Sequence, residues 1–201
     1  MASFTFVQDY LRHRLTANNR HGIHSPFVYH LIDTVIYDYQ PRQTYQEIAI
    51  DIKNQNGITE KRLPLKVLKL IYRLTKHFNP AAVVEVGEGG STSLYLQKAV
   101  PGAKIIAVNE AELKGVLDSL TDLIVFNKYV LTMEAFEQLL PTVHPDTVVI
   151  FTGVHTNATT KQIWNQVKTH PRVTLTIDLF WISLVFFKSG RAQQEHFKIK
   201  Y

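Results

Sequence analysis

The sequence predicts an α/β protein, an open and mostly parallel sheet with helices on both faces and a helical region before it. Three observations predict this. From Ala81 onward, short β-rich runs alternate with helical stretches. Before Pro80, apolar residues recur at helical spacing only. Between the two lies the stretch 84–96, VEVGEGGSTSLYL, in which an apolar run ends in an acid, three glycines follow within four residues, and a helical pattern begins. A chain of 201 residues suits one structural domain, divided at about residue 80 into an N-terminal helical region, 1–80, packed on a core of 81–201.

The elements follow in order. Val7, Tyr10, Leu11 and Leu15 give a first helix. The string NNRHGIHSPF interrupts it, after which Ser25 as N-cap and Pro26 as first helical residue open a second through Phe27, Leu31, Ile32 and Val35. A third centres on Tyr45, Ile48 and Ile52 and ends near NQNG. A fourth starts at Leu63–Pro64, runs through Leu70 and Leu74, and stops at Asn79–Pro80. In the core, AVVEVG, KIIAVNE, DLIVFNK and DTVVIFTGV read as strands, separated by the helical stretches STSLYLQKA, AELKGVLDSL and TMEAFEQLL and followed by TKQIWNQVKTH. RVTLTIDLFW and SLVFFK have no helix between them and predict an antiparallel hairpin at one edge. Tyr95 and Trp164 fall in apolar helix faces and read as core, with Lys161 and Lys168 on the exposed side of the helix of Trp164.

Composition narrows the function. With no cysteine, disulfides and thiolate metal sites are excluded, and the cytoplasm is the expected compartment. The charged N-terminal stretch does not read as a secretory signal, and no apolar run approaches membrane-spanning length. The net charge of +5 resides in residues 1–80, which hold 11 Lys and Arg against 6 Asp and Glu. Interspersed charge of this kind reads first as solvated helix faces. A nucleic-acid surface through Arg12, Arg14, Arg20, Lys61, Arg62, Lys66 and Lys69 is the less favoured reading.

The glycine turn carries the most specific signal. In open parallel sheets, ligands sit beyond the carboxyl ends of the strands. Gly87, Gly89 and Gly90 permit a tight turn and close backbone approach of a ligand, and Ser91 or Thr92 can cap the next helix. Glu110, about twenty residues after the glycines, stands where a carboxylate binds the hydroxyls of a ribose. No Lys-Ser/Thr pair follows the glycines, which excludes a phosphate-cradling NTPase loop. Glu85 and Glu88 suit a sulfonium or ammonium ligand better than a pyrophosphate. The residues therefore point to S-adenosylmethionine over NAD or ATP, against a turn that serves only helix–strand packing.

These segments resemble the class I S-adenosylmethionine-dependent methyltransferases, within them a bacterial O-methyltransferase-like group. NRHGIHSPFVYHLI resembles the opening of that group, FNPAAVVEVGEGGSTSLYL its cofactor turn, FEQLLPTVHPDTVVIF its fourth helix and fifth strand, and HPRVTLTIDLFWISLVFF with EHFKI its closing strands. The resemblance implies a Rossmann-like methyltransferase fold, a sheet of seven strands with the last antiparallel, and an N-terminal helical cap. It assigns Glu85, Gly87, Gly89, Gly90, Ser91 and Glu110 to the cofactor.

Three departures modify that expectation. The loop GEGGST is altered relative to the family turn. Only the eleven residues AELKGVLDSLT separate Glu110 from Asp122, room for one short helix where the family places a helix, a third strand and another helix. This predicts six strands, with Lys104–Glu110 at an edge and part of the adenine pocket gone. Asn127–Lys128 and Thr152–Gly153 replace the carboxylates with which metal-dependent relatives hold a divalent ion, so no metal is expected. His155 is the best remaining general base by position. His21 and His24 read as a helix-entry loop and not as a metal pair.

The leading expectation is a metal-independent methyltransferase-fold protein acting on a small-molecule acceptor, with cofactor binding and activity weakened or lost. The alternative is a non-catalytic interaction or ligand-sensing protein reusing the fold, with the exposed edge strand as a surface for homo-oligomers.

Overall fold

The structure is a computed structural model and describes residues 4–54, 63–87, 90–109, 112–113, 120–127, 132–190 and 193–201. Helix α1 (Phe4–Thr16) leads through a 3-10 turn at Arg20–Gly22 to α2 (Pro26–Leu31), which continues as a π turn over Ile32–Ile36. Next come α3 (Gln43–Asn54) and α4 (Leu65–Phe78). The core alternates β1 (Ala82–Val86), α5 (Gly90–Ala99), β2 (Lys104–Val108), β3 (Leu123–Phe126), α6 (Met133–Leu139), β4 (Val148–Thr152) and α7 (Ala158–Thr169). It closes with β5 (Leu175–Asp178), β6 (Ile182–Phe186) and β7 (Glu195–Lys198).

The seven strands lie in the order β2-β1-β3-β4-β6-β5-β7, parallel except for β6, which runs antiparallel between β4 and β5. The Rossmann-like α/β fold and the outer position of β2 are therefore as expected, but the sheet has seven strands and not the six that the short connection predicted, and its antiparallel strand is the penultimate β6, not the last. The hairpin β5–β6 is antiparallel but does not form the edge. Beyond β5 lies β7, within the EHFKI segment that the resemblance assigned to the closing strands, though the polar alternation of Glu195–Lys198 alone does not announce it. It exists because β5 offers it a free edge to pair with in parallel.

Alternation along the strands splits the core in two. Val83, Val125, Ile150 and Leu184 face one side and pack with Val67, Leu70, Ile71 and Leu74 of α4 and with Val28 and Leu31 of α2. Val84, Val86, Ile124, Phe126, Val149 and Phe151 face the other and meet Phe136 and Leu139 of α6 and Trp164 and Val167 of α7. Burial on both faces explains why these strands read as continuous apolar runs. Because α4 covers the sheet directly, the helical region and the core share one hydrophobic cluster.

Local chemistry fixes the helix ends. Pro26 begins α2, but the Ser25 side chain makes no capping bond. Asn79, left-handed at φ 47°, ends α4. Asn157 and Thr160 form a reciprocal capping box at the start of α7.

Two further expectations, both about helix faces, are corrected. Val7, Leu11 and Leu15 do recur at helical spacing, yet they are 46%, 56% and 84% exposed. The face of α1 that docks carries Phe6, Tyr10 and His13, because aromatic partners at Phe180 and Trp181 select it. Lys161 and Lys168 are half-buried and not on a free face. Lys161 pairs with Asp9 of α1 at 2.5 Å, and the Lys168 ammonium lies over Trp164.

Candidate active site

All parallel strands present their carboxyl ends on one side of the sheet, where the exits of β1, β3, β4 and β5 gather the polar residues of interest. At the β1 exit, Glu85 is fully buried. Ser93 Oγ donates to its Oε2 at 2.5 Å and Asn127 Nδ2 to its Oε1 at 2.8 Å. Glu85 thus ties the start of α5 and the end of β3 to the exit of β1.

Gly87 has φ 98° and Gly90 φ 46°, left-handed conformations that side chains with a Cβ resist. The Gly87 N–H donates to the Val108 carbonyl at 2.8 Å, anchoring the turn to β2. Ser91, in the first turn of α5, is buried, and its Oγ has no hydrogen-bond partner among the described residues. Two glycines in left-handed conformations and a hydroxyl with no partner among the described residues, beside the positive end of a helix, fit the amino-acid portion of S-adenosylmethionine. Gly89 and Glu110 lie outside the described residues. At the β2 exit, Asn109 and Glu112 bond each other's backbone N–H groups at 3.0 and 3.1 Å. This reciprocal cap was legible in the sequence as Asn-x-x-Glu.

The residues at the metal positions are occupied internally. Asn127 is held on Glu85, and Thr152 Oγ1 donates to the Phe126 carbonyl at 3.1 Å. Lys128 lies outside the described residues. One amide and one hydroxyl, both engaged, do not fit a hard divalent cation. His21 and His24 are exposed, and among the described residues no group of three or more His, Asp or Glu could hold a metal ion.

His155 follows β4, as expected, but its setting was not foreseen. Its Nε2 lies 2.9 and 3.0 Å from the two carboxylate oxygens of Asp178, at the end of β5. His13 of α1 approaches the same residue, Nε2 to the Asp178 carbonyl at 3.2 Å and to Oδ1 at 3.4 Å. The backbone N–H of Phe180 also donates to Oδ1, at 2.9 Å. Burial pushes the Asp178 carboxyl up, but the hydrogen bonds and charges of His13 and His155 outweigh it and hold the group well below the usual carboxylate range. An ionised Asp178 can only accept, so the hydrogen bonds at both Nε2 atoms are donated by the imidazole rings.

The aromatic frame around this cluster is tight. His155 stacks on Phe180 at 4.8 Å and 8° between planes, and Phe6, Tyr10 and His13 meet Phe180 edge-on. Phe180 itself has φ 70°, an outlier for a bulky residue. A hollow beside His155 is lined by Phe6, Leu63, Pro64, Gly153, Thr156, Phe180 and Trp181. Sequence reasoning missed Asp178, His13 and Phe180. One signal was available: Asp178 is the only acid between Asp146 and Glu195, and it ends an apolar strand.

The basic residues singled out above are dispersed in their contacts. Arg20 pairs with Asp33, Arg14 lies over Tyr10, and Lys66 and Lys69 lie over aromatic rings of another cleft. Lys61 and Arg62 fall outside the described residues.

No protein-family model and no curated protein matches the sequence. Solved structures match over most of its length. The O-methyltransferase TomG from Streptomyces achromogenes, in complex with SAM, aligns with a TM-score of 0.56 at 13% identity, over 81% of this chain and 95% of its own. The O-methyltransferase from Bacillus cereus, in complex with SAH, gives 0.55 at 14% identity over 78% and 95%. A putative caffeoyl-CoA O-methyltransferase from Staphylococcus aureus gives 0.54 at 16% identity over 79% and 97%. The chain has the Rossmann-like fold of the class I O-methyltransferases.

Proposed function

We propose that this protein is an S-adenosylmethionine-dependent O-methyltransferase that acts on a small hydroxyl-bearing acceptor without a metal ion. The observation that carries the reading is His155, held by the buried Asp178 at 2.9 Å, on the ligand side of a sheet whose glycine turn keeps its left-handed bends. Gly87, Gly90 and Ser91 would hold the amino-acid portion of the cofactor, with Gly89 and Glu110 completing the site as the resemblance implies. When bound, the cofactor supplies an electrophilic methyl group.

The protein's own part is acid–base and positional. His155 Nδ1 takes the acceptor's hydroxyl proton as the oxygen becomes a nucleophile, and Asp178 stabilises the resulting imidazolium. His13 and the Phe180 N–H keep Asp178 oriented. Phe180 and Trp181 wall the acceptor hollow and exclude water. The short connection between β2 and β3 supports a weaker hold on the adenosine portion than a longer one would give.

The test is transfer of a labelled methyl group from S-adenosylmethionine to a panel of small phenols and alcohols, with EDTA present. We expect turnover that EDTA leaves intact and that His155→Gln lowers by about 100-fold or more. Loss of turnover with EDTA would contradict the metal-free reading, and an unaffected His155→Gln enzyme would remove the base. If no acceptor is methylated, the non-catalytic reading of the fold replaces this one.

A further inference from the structure

The strongest feature outside this site lies on α4. Between Glu60 and Glu85 the sequence holds six Lys and Arg residues and no acid. Lys66, Lys69 and Arg73 recur at i, i+3 and i+7 and so share one face of the helix. That face lines a cleft of about 370 Å³ completed by Tyr39, Gln40, Pro41, Tyr45, Leu65 and Tyr201. Three cations and three tyrosines surround it, and no side-chain carboxylate is among its lining residues within the described part of the chain.

Arg73 is the unusual member. It is 6% exposed, and no carboxylate lies within ion-pairing distance of it among the described residues. Its Nε donates to the Val35 carbonyl at 2.8 Å and its Nη2 to the Ile36 carbonyl at 3.1 Å, oxygens of the π turn. Nη2 also lies 3.4 Å from Tyr201 Oη. These bonds satisfy the polarity of the guanidinium but not its charge, and a buried charge ordinarily has a counter-ion. Lys66 and Lys69 do not supply one. Lys66 Nζ lies 5.1 Å from the Trp181 ring centroid and 5.4 Å from that of Tyr201, and Lys69 Nζ lies 4.9 Å from that of Tyr45. Both ammonium groups are thereby held at the cleft, and among the described residues neither pairs with a side-chain carboxylate.

The rings add a second requirement. Tyr39 is 68% exposed and stacks over Tyr201 with 16° between planes at 6.4 Å. An exposed tyrosine beside a basic cleft offers a π-face to a planar group.

We propose that this cleft binds a phosphate-bearing small molecule that also carries an aromatic ring, the nucleoside-diphosphate class being its simplest member. Lys66, Lys69 and Arg73 supply the counter-charge to the phosphates, and Tyr39 stacks on the ring. The site is distinct from the glycine turn. It adjoins the His155 hollow, since Trp181 lines that hollow and also carries Lys66 on its ring.

The test is calorimetric titration at low ionic strength with three probes, ADP, inorganic pyrophosphate and adenosine, on the wild-type protein and three variants. We expect ADP to bind, pyrophosphate to bind about tenfold more weakly, and adenosine to give no measurable heat. Affinity for ADP should fall by about tenfold or more on raising salt to 0.3 M, as screening predicts for paired surface charges. The double variant K66E/K69E should lose ADP binding by about 20-fold or more while its melting temperature stays near wild type. Tyr39→Ala should bring ADP down to the affinity of pyrophosphate. Gly87→Val should leave ADP binding unchanged, which separates this cleft from the cofactor turn. Absence of heat with both ADP and pyrophosphate at 5 mM, or ADP binding that survives K66E/K69E, would overturn the proposal. Equal affinity for ADP and pyrophosphate would overturn the aromatic part of it, and a loss of ADP binding in Gly87→Val would reassign the site to the turn.

Discussion

At the scale of single residues, Asp178 organises the candidate active site by accepting from His13, His155 and the Phe180 N–H at once. Its carboxyl is held below the usual range in the folded state, so the stability it contributes is complete above the unfolded value of about 4 and is lost as pH falls through the folded value. Asp178→Asn is expected to cost about 3 kcal/mol near neutral pH, as for breaking a buried pair. The gap from wild type should narrow in urea titrations run below about pH 4; a gap independent of pH would contradict the ionised assignment. Phe180 gives a second residue-scale prediction. Its left-handed backbone penalises any Cβ, so Phe180→Gly should be more stable than Phe180→Ala by about 0.5–1 kcal/mol, the reverse of the usual order. Thermal melts of the two variants decide it.

Elements show where sequence patterns succeed and where they stop. Helix α1 has the expected period, but its apolar stripe Val7–Leu11–Leu15 faces outward because the partner surface selects Phe6, Tyr10 and His13 instead. Leu15→Lys should therefore change stability by less than about 0.5 kcal/mol, whereas Tyr10→Ala should cost well over that by undocking α1 from Phe180 and Trp181. Chemical denaturation of both tests the assigned face. The start of α7 is a local device, legible from Asn157 and its neighbours alone. Asn157→Ala removes the bond to the Thr160 N–H at 2.9 Å and should cost about 1 kcal/mol. Strand β7 was legible only through the resemblance that assigned EHFKI to the closing strands, since the alternation of Glu195–Lys198 alone does not announce a strand that pairs with the edge of β5.

Across the whole molecule, the alternation of strands and helices and the glycine turn were readable because each rests on short-range pattern, whereas the outer position of β2 followed from the short connection 111–121 set against the resembled family. The His13–Asp178 contact was not, because the two residues stand 165 positions apart and no spacing rule links them. The same holds for the basic cleft, where the residues from α4 meet Tyr201 only after the sheet is built. The fold brings a glycine turn, a histidine held by a buried carboxylate and a covering helix to one side of one sheet, and the proposed activity depends on the turn still receiving its cofactor. Titration of the protein with S-adenosylhomocysteine, on wild type and Gly87→Val, tests this most directly. Saturable binding to wild type, reduced by about tenfold or more when a branched side chain is forced onto φ 98°, is the predicted result. No binding by wild type at millimolar ligand, or equal binding by both proteins, would contradict it.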